Sequence, residues 1–374
     1  MSSEPSTKKP LLYYGINSEG MGHATRSLPV LLRLQRHFEV HVFCGARARA
    51  YLERHVPNVH EIYYIPLVYE NNRMMVKETF IRSFKKFPTV LRDAGWLFVR
   101  MLRERPIAVI TDYEFLTTWI GEFTRRKIIC LDNNHASRFA DLPEPETAEE
   151  AEERKVVVRA TIWNVPFAER FLVSTFWQPG LRPGVNADQV RFVPCAVRDI
   201  VIARKGKVRD DGAVVVYQTS STNVALPDVL RDATHRSQLR FSVFGSGQAP
   251  HDEIDGRLSF KEFSEDGFLD ELAAAPFVII NGGHSTIVEC LTLGKAILAE
   301  PVQAQYEQKA NGVGLERLGI GQSVERLTAD VILAFADRAP AYRARAAEHA
   351  SVVDNDGLVR ILEETIAELT GFNP

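Results

Sequence analysis

Short apolar runs alternate with helical patterns along nearly the whole chain. Residues 11–14 (Leu-Leu-Tyr-Tyr) read as a buried strand that ends in a glycine-bearing loop. The helix after that loop carries Leu28, Leu31, Leu32 and Leu34 on its apolar side. Strands are also predicted at 40–43, 59–65, 108–111 and 128–131, with weaker ones at 171–173 and 190–193. A helix is expected near 46–54, and a long helical stretch precedes 108. After a polar, Arg/Lys/Gly-rich segment at 198–212, a second series begins. Its strands fall at 213–217, 240–244, 277–280 and 296–299, and its helices include 269–275, 286–293 and 305–318. This alternation predicts an α/β fold with parallel sheets. The simplest arrangement is two tandem doubly wound domains, 1–197 and 198–374, with the last helix free to pack back on the first. Ligands in such sheets sit beyond the carboxyl ends of the strands, and two domains offer a cleft between them.

Composition narrows the class. Hydrophobic residues make up 45% and charged residues 25%, which excludes a disordered chain, a collagen-like fibre and a membrane bundle. A net charge of −3 excludes a general polyanion binder, so no nucleic-acid partner is expected. Cys44, Cys130, Cys195 and Cys290 are widely spaced and read as reduced core residues. No metal site is expected. Residues 1–10 lack the apolar core of a secretory signal, so a cytoplasmic location is expected.

Two segments break the rhythm. Residues 139–155 carry Pro143, Pro145 and an acidic run, which reads as a solvated loop entering a helix. Residues 81–105 hold seven basic residues against Asp93 and Glu104, interleaved with Phe84, Phe87, Trp96, Leu97 and Phe98. Such a stretch can line an acceptor groove or lie on the inner face of an anionic membrane. Equally, its aromatics can face the core.

The first glycine loop runs from Gly15 to Ser27. Gly15, Gly20 and Gly22 do not fit GxGxxG, Glu19 would repel a pyrophosphate, and no Walker pattern is present. His23, at the first helical turn, projects into the crevice at the strand end. A lone histidine is usually structural, but this position favours a catalytic role. Asp112 follows another strand of the same sheet, so it can orient His23 as a general base. Its competing role is to cap the helix starting near Glu114. Glu19, Asp132 and His135 are rival acid–base groups.

The second loop, Asn281-Gly282-Gly283-His284-Ser285-Thr286, turns from a strand into a helix carrying Glu289. Glycines and hydroxyls at a helix N-terminus surround an anion with N–H groups. Glu289 can accept hydrogen bonds from a ribose, and Glu307 and Gln308 from sugar hydroxyls. Anion, diol and polyol together make a nucleotide-sugar site.

These residues resemble the donor signature of the UDP-glycosyltransferases of GT-B fold, which pair two Rossmann-like domains. The resemblance places Gly282, Gly283, His284, Ser285 and Thr286 at the diphosphate, Glu289 at the ribose, and Glu307 and Gln308 at the sugar. It makes His23 the base and Asp112 its partner, with Gly22, Asn133 and His135 on the acceptor side. A closer likeness is to a bacterial and archaeal GT-B group sharing Gly-His-Ala-Thr-Arg-Ser (22–27), an Ile-x-x-Asp-Asn-x-His element (129–135) and Val-Tyr-Gln-Thr (216–219). Where many plant-type members have a phosphate-binding histidine this chain has Asn281, so His284, or Ser220 and Ser221, would take that load. The resemblance implies an inverting, metal-independent hexosyl transfer from a nucleotide-sugar co-substrate, UDP-linked by expectation. The acceptor would be a hydroxyl on a lipid, glycan or natural product, and no cofactor is implied. An epimerase or a non-catalytic nucleotide-sugar sensor on the same fold are the alternatives. Asp354-Asn355-Asp356 formally matches a metal-binding DxD but reads as a helix cap.

Overall fold

The computed structural model describes residues 9–70, 73–218 and 223–372. The first domain holds the parallel strands β1 (Leu11–Ile16), β2 (Glu39–Cys44) and β3 (Val59–Glu61). A small antiparallel ribbon, β4 (Tyr69–Glu70) and β5 (Arg73–Met74), follows. Then come β6 (Ala108–Asp112), β7 (Lys127–Asp132), β8 (Arg170–Ser174) and β9 (Val190–Val193), giving the sheet order β3-β2-β1-β6-β7-β8-β9. The second domain contains β10 (Val214–Tyr217), β11 (Phe241–Phe244), β12 (His251–Glu253), β13 (Leu258–Lys261), β14 (Phe277–Ile280), β15 (Ala296–Ala299) and β16 (Gly321–Ser323). Its order is β12-β13-β11-β10-β14-β15-β16, parallel except for β12 against β13.

Strands covered on both faces by helices bury every side chain, which is why they read as unbroken apolar runs. Tyr13, Ile110, Val215 and Ile279 are fully buried. The expected strand 59–65 stops at Glu61, and residues 62–65, still apolar and aromatic, leave the ladder ahead of Pro66. β4, β5, β12, β13 and β16 were not expected from the sequence.

Sheet order reverses between β1 and β6 in the first domain and between β10 and β14 in the second. Each reversal opens a crevice at the strand ends. The helix Gly22–Leu34 leaves the first crevice and the helix His284–Thr292 the second. The final helix, Asn355–Thr370, returns to the first domain, where Leu358, Val359, Leu362 and Ile366 join the core around β1 and β2. Asp354 caps that helix through Gly357 N–H at 2.8 Å, and Asp356 pairs with Arg33 at 2.7 Å.

Candidate active site

Both switch-point crevices open on the same cleft. Ser285 Oγ donates to the Gly22 carbonyl at 3.0 Å, tying the N-terminus of one helix to the other. A β-carbon on Gly22 would lie 3.1 Å from that hydroxyl, so the close approach favours glycine.

In the first crevice His23 Nδ1 meets Asp112 Oδ1 at 2.9 Å. Asp112 does not cap the following helix. Glu114 does, accepting from Leu116 N–H at 2.7 Å and Thr117 N–H at 2.8 Å, which leaves Asp112 free to face His23. Ser27 Oγ donates to Asp112 Oδ2 at 3.2 Å, and Arg26 grips both carboxylate oxygens. Burial alone would raise the Asp112 pKa, but Arg26 and His23 outweigh it and hold the carboxyl well below its usual range. Tyr113, in the left-handed region at φ 58°, lays its ring beside His23 at 6.4 Å.

Glu19 sits in the same crevice but is tethered, accepting from Leu67 N–H at 2.9 Å and from the Tyr69 hydroxyl. Its pKa is raised by burial. Asp132 and His135 are fully enclosed in the first domain, paired at 2.8 Å. With Cys130 they form a group of metal-ligand types, hydrogen-bonded among themselves inside the first domain. That enclosure separates both from the cleft that a reacting acceptor must enter.

In the second crevice Gly282 takes φ +84°, the turn that aims the helix His284–Thr292 into the cleft. Gly283 caps that helix without a side chain, so among the described residues no cap side chain accepts from the first-turn N–H groups. Ser285 and Thr286 are half-buried at this mouth. His284 turns the other way. Its ring packs near Phe176, with Nε2 at 3.7 Å from Cys195 Sγ, and burial pushes its pKa down to about 3. A neutral imidazole offers a phosphate a hydrogen bond and no ion pair, so His284 would stand in for the histidine replaced by Asn281 only as a neutral donor. Asn281 itself donates to Gln218 Oε1 at 3.0 Å. Ser220 and Ser221 lie outside the described residues.

Glu289 is buried and held by Arg198, whose Nε and Nη2 both bond Oε1, at 2.9 and 2.6 Å. Glu307 reaches across the cleft, where Asn133 Nδ2 and Asn134 Nδ2 donate to its two carboxylate oxygens at 2.7 and 2.9 Å. Gln308 turns inward, its Oε1 accepting from Val302 N–H at 2.9 Å. Asn311 secures the glycine turn by donating to the Gly282 carbonyl at 3.0 Å. The sequence reading gave no role to Arg26, Arg198, Asn134 or Tyr113. Arg26, one turn after His23 on the same helix face, was the one with a usable signal.

A cavity of about 540 Å³ in the first domain is lined by Tyr63, Ile65, Phe84, Phe87, Val90, Phe115 and Trp163. The helices Val76–Lys85 and Phe87–Glu104 wall it, and they also expose Ile81, Phe84, Phe87, Leu91 and Leu102. Leu97 and Met101 face the core, whereas Trp96 and Phe98 stay part-exposed. The aromatic content of 81–105 is therefore divided between core and surface.

The model of glycosyl transferase family 1 matches residues 11–340. Two proteins described as uncharacterized glycosyltransferases, from Methanosarcina acetivorans and Methanosarcina mazei, are 34% identical over 136 residues and 35% over 120. These matches take in 34% and 30% of this chain and 35% and 32% of the relatives' own lengths. Among solved structures, Phytolacca americana UGT2, complexed with UDP-2fluoro-glucose and pterostilbene, aligns at TM-score 0.70 and 14% identity over 97% of this chain and 100% of that one. Acinetobacter baumannii MurG aligns at TM-score 0.59 and 14% identity, over 96% and 99%. The shared fold is GT-B.

Proposed function

Because the chain belongs to glycosyl transferase family 1, we propose that it transfers a hexose with inversion, without a metal ion, from a nucleoside-diphosphate sugar to a hydroxyl acceptor. The observation that carries this reading is the His23–Asp112 pair facing the side-chain-free N-terminus of the helix His284–Thr292 across one cleft. The acceptor hydroxyl binds in the first domain. His23 Nε2 takes its proton as the oxygen attacks the anomeric carbon from the face opposite the diphosphate. Asp112, accepting from Nδ1–H, stabilises the imidazolium as it forms. The bond between anomeric carbon and diphosphate oxygen breaks, and its electron pair leaves with the nucleotide. The helix dipole and the N–H groups of Ser285 and Thr286 receive that charge. Glu289, oriented by Arg198 through Oε1, presents Oε2 to the ribose. Glu307 exchanges its asparagine partners for sugar hydroxyls. UDP is the expected nucleotide.

A thermal-shift screen of nucleotide sugars identifies the donor, since a ligand of the native state raises apparent stability. Each hit is then tested for release of nucleoside diphosphate in the presence of acceptors. Release with transfer supports this reading, whereas an isomerised sugar without release establishes the epimerase and overturns it. Thr286→Ala should weaken donor binding in calorimetry by about 1 kcal/mol, the worth of one hydrogen bond. Unchanged affinity would remove the diphosphate from this helix. Turnover should persist in excess EDTA, because the helix N-terminus does the work of a cation. Activity lost to EDTA and restored by magnesium or manganese would contradict that.

No described helix is long and apolar enough to cross a membrane. The acceptor nevertheless suits an apolar carrier, because the cavity is walled by aromatics and opens onto an exposed apolar ledge with Arg82, Lys85 and Lys86 around it. Such a surface can rest peripherally on anionic lipid. The protein should sediment with phosphatidylserine vesicles at low salt, and Lys85→Glu with Lys86→Glu should release it. Absence of sedimentation at low salt would assign the ledge to a soluble acceptor.

A further inference from the structure

In the Ile-x-x-Asp-Asn-x-His element the aspartate and histidine shape the chain, and the asparagines between them face outward to the other domain. Asp132 Oδ1 accepts from His135 N–H at 3.1 Å, and Oδ2 meets the ring at 2.8 Å, folding the chain over at the end of β7. That turn presents Asn133 and Asn134 to Glu307, in the first turn of the helix Tyr306–Leu318. The first domain holds the same end of this helix twice more. Gln305 Nε2 donates to the Tyr69 hydroxyl at 2.7 Å, and Lys309 pairs with Glu153 at 2.7 Å. The end of the helix that carries Glu307 is therefore walled by both domains.

The two asparagines differ. Asn133 uses both ends of its amide, donating to Glu307 and accepting from Arg26. Asn134 donates to Glu307 at 2.9 Å, but its Oδ1 is buried and has no donor among the described residues. Turning the amide over would set Oδ1 against a carboxylate oxygen, so Glu307 fixes the orphaned acceptor in place. A buried acceptor without a donor is costly, and a ligand hydroxyl removes the cost.

We propose that Asn134 reads the donor sugar from the first domain, its Oδ1 accepting from one hydroxyl while its Nδ2 donates to the adjacent hydroxyl that Glu307 binds. This inference rests on the reading of Glu307 as a sugar ligand. The bonding balances: the first hydroxyl gives its proton to Glu307 and receives one from Nδ2, and the second gives its proton to Oδ1. The substrate class is a nucleotide sugar with two adjacent free hydroxyls on the edge held by Glu307. A sugar lacking the second hydroxyl leaves Oδ1 orphaned, the kind of mismatch that polar sites reject most strongly.

The test is calorimetry on the full chain with UDP-, dTDP-, GDP- and ADP-glucose, each beside its nucleoside diphosphate. For the base that binds, the ratio of the two affinities isolates the share due to the sugar. In Asn134→Ala that share should fall about five- to tenfold, the worth of one hydrogen bond, with nucleoside diphosphate affinity unchanged. An asparagine that merely held Glu307 in the empty cleft would compete with the sugar. Its removal would leave the share unchanged or raise it, and either result overturns the proposal. An equal loss for sugar and diphosphate forms would mean a general disturbance of the cleft and also overturns it, as does a wild type that gains nothing from the sugar. Glu307→Ala separates the two readings. A share lost in Glu307→Ala but kept in Asn134→Ala strikes this proposal alone, whereas a share kept in Glu307→Ala strikes the sugar assignment beneath it. Absence of binding by every ligand in the set sinks the donor reading and this one with it.

Discussion

Replacing His23 by alanine should lower kcat by about 10²- to 10⁴-fold, the usual contribution of a positioned general base. Donor affinity should be unchanged, because the nucleotide is bound from the other side of the cleft. The acceptor hydroxyl is too weak an acid to attack before its proton begins to leave, so the step depends on a group that can take that proton. His23 qualifies by position, at the β1 strand end, and by its hydrogen bond to Asp112. Asp112→Asn should cost less in rate, since an amide can still hold the ring but no longer stabilises the imidazolium. It should cost stability as well, because Arg26 is left without its carboxylate. The rival is Glu19, partly enclosed and already bonded to Leu67 and Tyr69. Near-normal turnover in His23→Ala, with collapse in Glu19→Gln, would move the role to the carboxylate.

The second large effect concerns stability. Arg198→Ala should destabilise the fold by about 3–5 kcal/mol, the cost of leaving a buried ion without its partner. Glu289 is 6% exposed and fixed to the helix whose N-terminus faces the cleft. Burial already raises its pKa although Arg198 opposes the shift, and without the arginine the rise grows. A carboxyl raised in the folded state contributes stability that is complete below its unfolded pKa and lost as pH climbs through the folded one. The deficit of Arg198→Ala should therefore be larger at pH 8 than at pH 5. Denaturant unfolding at the two pH values measures it. A loss under about 1 kcal/mol, or one equal at both values, would mean that solvent already screens this pair. The double replacement Arg198→Met with Glu289→Leu should regain most of the stability and lose donor binding, separating the fold's need for the pair from the ligand's.

Most of the fold could be read from the chain because its central strands are buried on both faces. Residues 11–14 and 277–280 announce themselves as unbroken apolar runs. The edges do not. β12 reads His-Asp-Glu and β16 reads Gly-Gln-Ser, segments whose pairing is set by the neighbouring strand and not by any pattern of their own. The site divides along the same line. His23 and Asp112 stand at strand ends of one sheet, so topology alone brings them near each other. The Arg198–Glu289 pair spans 91 positions, and the Asn133–Glu307 bond spans 174, with nothing periodic to connect them. The charge state of His284 was equally hidden, because it depends on Phe176 and Cys195 closing around the ring.

The returning final helix bears on how the chain is made. Leu358, Val359, Leu362 and Ile366 complete a core begun by Leu12, Leu31 and Val40, and they are synthesised after every strand of the second domain. A nascent chain whose second domain is emerging from the ribosome therefore carries a first domain with an open apolar groove along the helix Gly22–Leu34. Domains usually close in order during synthesis, so this one must wait. The groove closes when the helix Asn355–Thr370 arrives and Arg33 takes Asp356.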